Sequence, residues 1–156
     1  MMLLLRDSLL SVIGCFGFGI LFNIKGKKLL FASFGGGVSW FVYALCLNHY
    51  NFSIISSMLA SSIIFSIYSE VMARLLKTPV TLMVICAMLP LVPGAGMYYT
   101  MYEAVKGNIS ASVSNGLSTL ASAGTLALGI ILVATITRIL TKKNVKNTKT
   151  KASALK

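Results

Sequence analysis

The chain has 156 residues, of which 56% are hydrophobic and 11% are charged, with a mean hydropathy of +0.85 and a formal net charge of +11. A soluble domain carries about 25% charged residues, so this chain is too apolar to cover a water-exposed surface. Disorder is excluded because it requires low hydrophobicity, and a nucleic-acid-binding domain would display its basic residues on a soluble fold. The composition predicts an integral membrane protein of a single domain.

Five apolar segments follow one another along the chain, each close to the length of about 20 residues that a membrane-spanning helix needs. They are residues 8–24, 29–47, 54–73, 80–99 and 117–140. Backbone groups in lipid must be hydrogen-bonded internally, and the segments lack the alternation of a membrane barrel, so they are predicted to be helices. The sequence predicts an all-α, multi-pass transmembrane domain over residues 1–140, followed by a basic tail over residues 141–156.

The basic residues divide unevenly between the two sides that five spans create. Only Arg6 and Lys106 fall on one side, and the other twelve fall on the opposite side: Lys25, Lys27, Lys28, Arg74, Lys77, Arg138, Lys142, Lys143, Lys146, Lys149, Lys151 and Lys156. Because cytoplasmic loops of membrane proteins are enriched in Lys and Arg, we predict an outer N-terminus and a cytoplasmic C-terminus in the cell membrane. The basic tail either serves only to set this topology or, in addition, binds anionic lipid headgroups.

The fourth segment contains a dense run of helix-breaking residues. Pro90 cannot donate a hydrogen bond to the carbonyl of Cys86, nor Pro93 to that of Leu89, so a break is predicted over Pro90–Gly96. Secondary transporters bind substrates at such breaks, where the N-terminus of a half-helix faces an anionic group. Here the donors for a carboxylate would be the amides of Ala95, Gly96 and Met97. The alternative is a kink that serves packing only.

Glu70 is the only acidic residue inside a predicted span. On a helical projection it shares a polar face with Ser62, Ser66 and Ser69. An intramembrane carboxyl is a candidate for function, and an apolar environment favours its protonated form, so Glu70 is a candidate carrier of a coupling proton. The competing interpretation is an ion pair with Arg74, four residues later, that anchors the end of the helix.

Enzymatic activity is not predicted. His49 is the only histidine, the three cysteines lie apart in apolar segments, and no nucleophile, phosphate-loop or metal-ligand motif is present, so neither a cofactor nor a bound metal is expected. Glycines recur in the apolar segments, which predicts close helix packing and an oligomer. The triple glycine Gly35–Gly37 is interpreted either as a packing surface or as a hinge.

Several of these features occur in an order that resembles a known family. They are Phe22-Asn23 before a basic turn, the glycine-rich second segment ending in Trp40, Glu70 with Ala73-Arg74, Lys77 with Pro79, the run Leu89–Gly94, Tyr98 and Gly107-Asn108. Over residues 8–140 the chain resembles the ThrE-like threonine/serine exporter family, in particular its small YjjB-type membrane subunit. Many relatives carry an acid where this chain has Asn108.

The resemblance implies a subunit that works with a larger partner membrane subunit to export small carboxylate-bearing metabolites. Those substrates are threonine and serine, or C4-dicarboxylates such as succinate. We expect a substrate path formed by Pro90, Pro93, Gly94, Ala95, Gly96, Met97, Ser66 and Asn23, with Glu70 coupling transport to protons. Two alternatives are kept: a non-transporting scaffold subunit of a membrane complex, and a homo-oligomeric channel.

Overall fold

The computed structural model describes the backbone of residues 2–154 and the side chains of residue 2 and residues 4–141. Six α-helices make up the fold, with a 3-10 turn at Leu89–Leu91 between the fourth and fifth: α1 (Met2–Leu21), α2 (Lys27–Asn48), α3 (Ile54–Leu75), α4 (Val80–Met88), α5 (Gly94–Val105) and α6 (Ile109–Ala154). The predicted all-α class is confirmed. The lysine side chains of the predicted tail, residues 142–156, lie outside the described part.

Four helices, α1, α2, α3 and α6, are each long and apolar enough to cross a membrane. The shorter α4 and α5 meet this criterion together, as a pair bent by 54°. This confirms the prediction of a multi-pass helical protein with a broken fourth span.

The α2 helix is the centre of the bundle, since α1, α3 and α4 all pack against it. Its triple glycine is the reason that they approach closely. A Cβ atom added at Gly36 or Gly37 would meet side chains of α1, whereas one at Gly35 would lie 3.0 Å from Tyr68 of α3 and 3.2 Å from Ala87 of α4. The three glycines therefore form a packing surface that faces three neighbouring helices.

The α3 and α6 helices run parallel and in register. Gly129 lies against Ser62, and the Nη2 atom of Arg74 donates a hydrogen bond to the Oγ1 atom of Thr141 over 2.9 Å. Both contacts join residues that are 67 positions apart in the sequence. Since α3 and α6 run in the same direction, the chain between them must return to the other end of the bundle. The bent pair of α4 and α5 makes this return, so the bundle is crossed five times.

The α5 and α6 helices form an antiparallel hairpin over residues 100–116, which lie between the fourth and fifth predicted spans. Gly96 packs on Thr119, and the Ser112 hydroxyl donates a hydrogen bond to the Thr100 carbonyl over 2.8 Å. Gly107, at a φ of 78°, closes the turn between the helices. The serines of this stretch are compatible with a helix because their hydroxyls can bond to backbone carbonyls.

Both turns at one end of the bundle use residues with a left-handed backbone. Asn23 (φ 56°) follows α1, and Lys77 (φ 47°) follows α3. In each turn the next amide reaches five residues back, from Ile24 to the Gly19 carbonyl and from Thr78 to that of Ala73, as in a Schellman motif. This end, called the basic end below, carries Lys25, Lys27, Lys28, Arg74, Lys77 and Arg138.

Candidate functional site at the helix break

The break lies at Leu89–Pro93, so Gly94–Gly96 form the first turn of α5 rather than part of an irregular segment. Neither carbonyl released by the prolines is left unpaired. The Cys86 carbonyl accepts a hydrogen bond from the Cys15 thiol of α1 over 3.2 Å, and the Leu89 carbonyl accepts one from the Val92 amide over 3.3 Å. The break is thus held by a side chain of another helix as well as by its own turn.

The position of the break along the bundle follows from its neighbours on α2. Pro90 lines the same cleft as Trp40, which lies 13 residues after the start of α2 at Lys27. At 1.5 Å per residue Trp40 is about 20 Å from the start of α2, and Pro90 is about 15 Å from the start of α4 at Val80, which lies at the same end. Eight residues of α2 follow Trp40, up to Asn48, so the break lies near the middle of the bundle.

A cleft of about 400 Å³ opens beside the break, between α1 and α2. Its floor includes Leu89 and Pro90, and its walls carry Asp7, Ser11, Cys15 and Trp40. The Asp7 carboxylate, whose side chain is 38% exposed, pairs with Arg6 over 3.0 Å. The Nε1 atom of Trp40 is buried and has no hydrogen-bond partner among the described residues. The cleft therefore combines an apolar floor with the Asp7 carboxylate, whereas the indole N–H of Trp40 has no surface exposed to it.

The start of α5 lies outside this cleft. Gly94, Ala95 and Met97 are exposed, and no side chain among the described residues caps this helix end. The amides of Gly94 and Met97 donate to the carbonyls of Val92 and Pro93 over 2.7 Å and 3.2 Å. Of the residues predicted for the substrate path, Pro90 alone reaches the cleft, whereas Pro93 and the first turn of α5 face away from the α1–α4 bundle.

The polar face of α3 lies inside the bundle. Ser62 donates to the Leu59 carbonyl, whereas the buried hydroxyls of Ser66 and Ser69 have no partner among the described residues. Glu70, with its side chain 15% exposed, lies 3.5 Å from the Nη2 atom of Arg74. The ion pair considered from the sequence is therefore present, and through Thr141 it ties α3 to α6.

Asn23 lies in the turn after α1, at the basic end, and is exposed. Its left-handed backbone accounts for an asparagine at this position, because Asn adopts positive φ more readily than most residues. The structure does not bring Asn23, Ser66 and Pro90 together into one site.

Sequence reasoning missed the contribution of α1 to the cleft. Asp7, Ser11 and Cys15 recur at intervals of four, which places them on one face of a helix, and that spacing was the available signal. Asp7 was instead placed before the first predicted span, which begins at residue 8. Within the described residues, no three His, Cys, Asp or Glu side chains are grouped so that they could hold a metal ion.

No curated protein and no solved structure matches the chain. A family model described as "Threonine/Serine exporter, ThrE" matches residues 7–136, from the cleft residue Asp7 to the last turns of α6 that pack on α3. The match covers more than four fifths of the chain and indicates a membrane transporter rather than an enzyme. The chain therefore belongs to the ThrE family of threonine/serine exporters.

Proposed function

We propose that this chain is the small membrane subunit of a secondary exporter in the cytoplasmic membrane, for threonine, serine or a similar small carboxylate. The observation that carries the proposal is the broken fourth span with a cleft of about 400 Å³ beside it. Small-molecule sites commonly occupy some 300–1,000 Å³. In secondary transporters, broken helices lie at the binding site because they offer backbone groups that a regular helix uses internally.

A larger partner subunit completes this exporter. The support is the start of α5, where Gly94 and Ala95 are exposed and no described side chain caps the helix. In lipid, backbone donors must be satisfied by protein or by a water-filled cavity. No residue of α5 is buried within the chain, so its free face is available to the partner. The partner then covers the amides of Ala95 and Gly96 and encloses the substrate path with them, while the predicted third donor, the Met97 amide, is bonded to the Pro93 carbonyl within the chain.

Glu70 is proposed to carry the coupling proton. It lies within a span, is mostly buried, and is next to the unpartnered hydroxyls of Ser66 and Ser69, which suit a chain of bound water. Arg74 pairs with the ionised Glu70 carboxylate. When Glu70 is protonated, Arg74 still has its hydrogen bond to Thr141. A Glu70→Gln variant is expected to lose the pH dependence of transport. Unchanged transport across a range of pH would show that Glu70 is an anchor only.

The main test is counterflow of radiolabelled threonine, serine and succinate in proteoliposomes, with and without the partner. Pro90→Ala and Pro93→Ala are expected to reduce counterflow at least tenfold, because each restores a backbone donor and straightens the break. Pro79→Ala is the matched control, since Pro79 caps the start of α4 outside the break.

The outcomes separate the proposal from its alternatives. If Pro90→Ala and Pro93→Ala transport as well as Pro79→Ala, the break has no role in the substrate path. If the partner transports substrate without this chain, this chain is a scaffold subunit. If this chain conducts ions by itself, it is a channel. Counterflow of succinate but not of threonine identifies a dicarboxylate exporter.

A further inference from the structure

We propose that a groove between α2 and α3 at the basic end binds an acyl chain of an anionic phospholipid, with the Lys27 ammonium group as the partner of the lipid phosphate. The groove has a volume of about 390 Å³ and is lined by Leu30, Phe31, Phe34, Tyr68 and Met72. This inference concerns the contact of the chain with the bilayer, and it stands independently of the proposed function.

The lining of the groove offers a ligand only apolar and ring surfaces. The Tyr68 hydroxyl, the one polar group among the lining side chains, donates a hydrogen bond to the Phe31 carbonyl over 2.8 Å and is therefore already used. Phe31 and Phe34 are 41% and 57% exposed, so the groove is open to the surroundings of the chain. A polar occupant would leave its own polar groups unpaired here, whereas a lipid acyl chain has none to pair.

The groove runs from the basic end toward the centre of the bilayer, as an acyl chain does. Its deepest residues, Phe34 and Tyr68, each lie seven positions from the helix end, at Lys27 and Leu75, which is about 10 Å at 1.5 Å per residue. Their rings lie 6.2 Å apart between centroids and close the groove at its inner end. Since one leaflet provides about 15 Å of hydrocarbon, the groove accompanies the part of an acyl chain nearest to its headgroup.

Lys27 carries a positive charge where the headgroup of this lipid would lie. It precedes Phe31 by four residues and Phe34 by seven, which places it on the groove face of α2. Lys27 is exposed, and side chains of a helix tilt toward its N-terminus, so Lys27 extends from the groove toward the membrane surface. Among the described residues, Glu70 is the one acid at this end, and it pairs with Arg74 rather than with a lysine. Charge complementarity therefore favours an anionic lipid over a neutral one.

A second groove, between α1 and α2, provides an internal comparison. Its lining is also apolar and includes Leu9, Val12 and Phe41. No basic residue lines it, and Arg6, at the same end of α1, pairs with Asp7 over 3.0 Å. An acyl chain fits both grooves, but only the groove below Lys27 should distinguish anionic from neutral headgroups.

The test is quenching of tryptophan emission by brominated lipids in bilayers that contain the full chain. Trp40→Phe removes the single tryptophan, and in that background Phe31→Trp reports on the groove below Lys27, whereas Phe41→Trp reports on the second groove. Mixtures of dibrominated phosphatidylglycerol with unlabelled phosphatidylcholine, and the reverse mixtures, give the relative binding constant of the two lipids at each reporter. We expect phosphatidylglycerol to be preferred about fivefold at position 31, the contribution of one lysine near an anionic surface, and not at position 41.

The charge of Lys27 is tested with the reporter at position 31. Lys27→Gln should abolish the preference, and Lys27→Arg should keep it. Arg138→Gln is the matched control, because it removes the same charge from the same end, on α6, which does not line the groove. It should leave the preference unchanged.

Four results would overturn the inference. Equal binding of both lipids at position 31 would show that the headgroup is not recognised. Equal preferences at both reporters, or equal losses in Lys27→Gln and Arg138→Gln, would show that the net charge of the protein attracts the lipid without a site. A reporter at position 31 that neither brominated lipid quenches would show that a second copy of the chain covers the groove.

Discussion

Replacing Gly36 by alanine places a methyl group in the space occupied by the Cys15 side chain. The added Cβ would meet the Cys15 sulfur, would lie 3.0 Å from the Cys15 Cβ atom, and would lie 3.5 Å from the Cys86 carbonyl oxygen. The first two atoms belong to α1 and the third to the backbone of α4. The methyl group therefore overlaps the Cys15 side chain of α1, whereas its distance to the Cys86 carbonyl of α4 is an ordinary van der Waals contact.

The expected cost follows from comparison with Gly17→Ala. Gly17 is also within a helix, α1, but a Cβ added there meets nothing within 4 Å. Both substitutions gain about 1 kcal/mol of helix propensity, so this contribution cancels in the difference between them. Overpacking costs about 1–3 kcal/mol. Gly36→Ala is therefore expected to have a free energy of unfolding about 1–3 kcal/mol below that of Gly17→Ala.

The assay is reversible unfolding by sodium dodecyl sulfate in mixed micelles, followed through the emission of Trp40. The double variant Gly36→Ala/Cys15→Ala removes the sulfur that the methyl group meets, and it should be more stable than the sum of the single effects predicts, by about 0.5 kcal/mol or more. Equal stabilities of Gly36→Ala and Gly17→Ala, or strictly additive single effects, would refute the proposed contact.

Three further predictions use the same assay. Cys15→Ala should lose about 1–3 kcal/mol because it leaves the buried Cys86 carbonyl unpaired, while Cys15→Ser keeps a donor and should lose less; equal losses would contradict the thiol hydrogen bond. Lys77→Gly should be more stable than Lys77→Ala by about 1 kcal/mol, because only glycine adopts a φ of 47° without strain, and the reverse order would be inconsistent with this turn. Glu70→Gln should change stability by less than about 1 kcal/mol, since Arg74 is 54% exposed and keeps Thr141; a larger loss would make Glu70 a structural residue.

Much of the fold followed from periodicity and composition. The helical class, the apolar segments and the broken fourth span were all predicted, because a lipid environment leaves helices as the way to satisfy the backbone of such segments. The α5–α6 hairpin was not predicted. Its serines make residues 100–116 resemble a loop by composition, and their hydrogen bonds to backbone carbonyls, as from Ser112 to Thr100, become evident only in the folded chain.

The candidate site was predicted only in part. Pro90 was correctly associated with a break, because proline removes a specific backbone donor wherever it occurs in a helix. The partner of the released Cys86 carbonyl is Cys15, 71 residues away, and no local rule connects them. Asp7 and Trp40 were not predicted to share a site, because each has an ordinary explanation within its own segment.

The mean hydropathy of +0.85 and the low share of charged residues determined by themselves that this is a membrane protein, and the distribution of the basic residues predicts which way it faces. Both conclusions are possible because the hydropathy of each segment decides whether that segment enters the membrane, and the charge of each loop decides on which side that loop lies. Only the tertiary structure decided that α3 and α6 run parallel, that Gly35–Gly37 join three helices, and that α1 closes a cleft over the break. These features depend on contacts between residues far apart in the sequence, and side-chain packing, rather than the composition of any segment, determines such contacts.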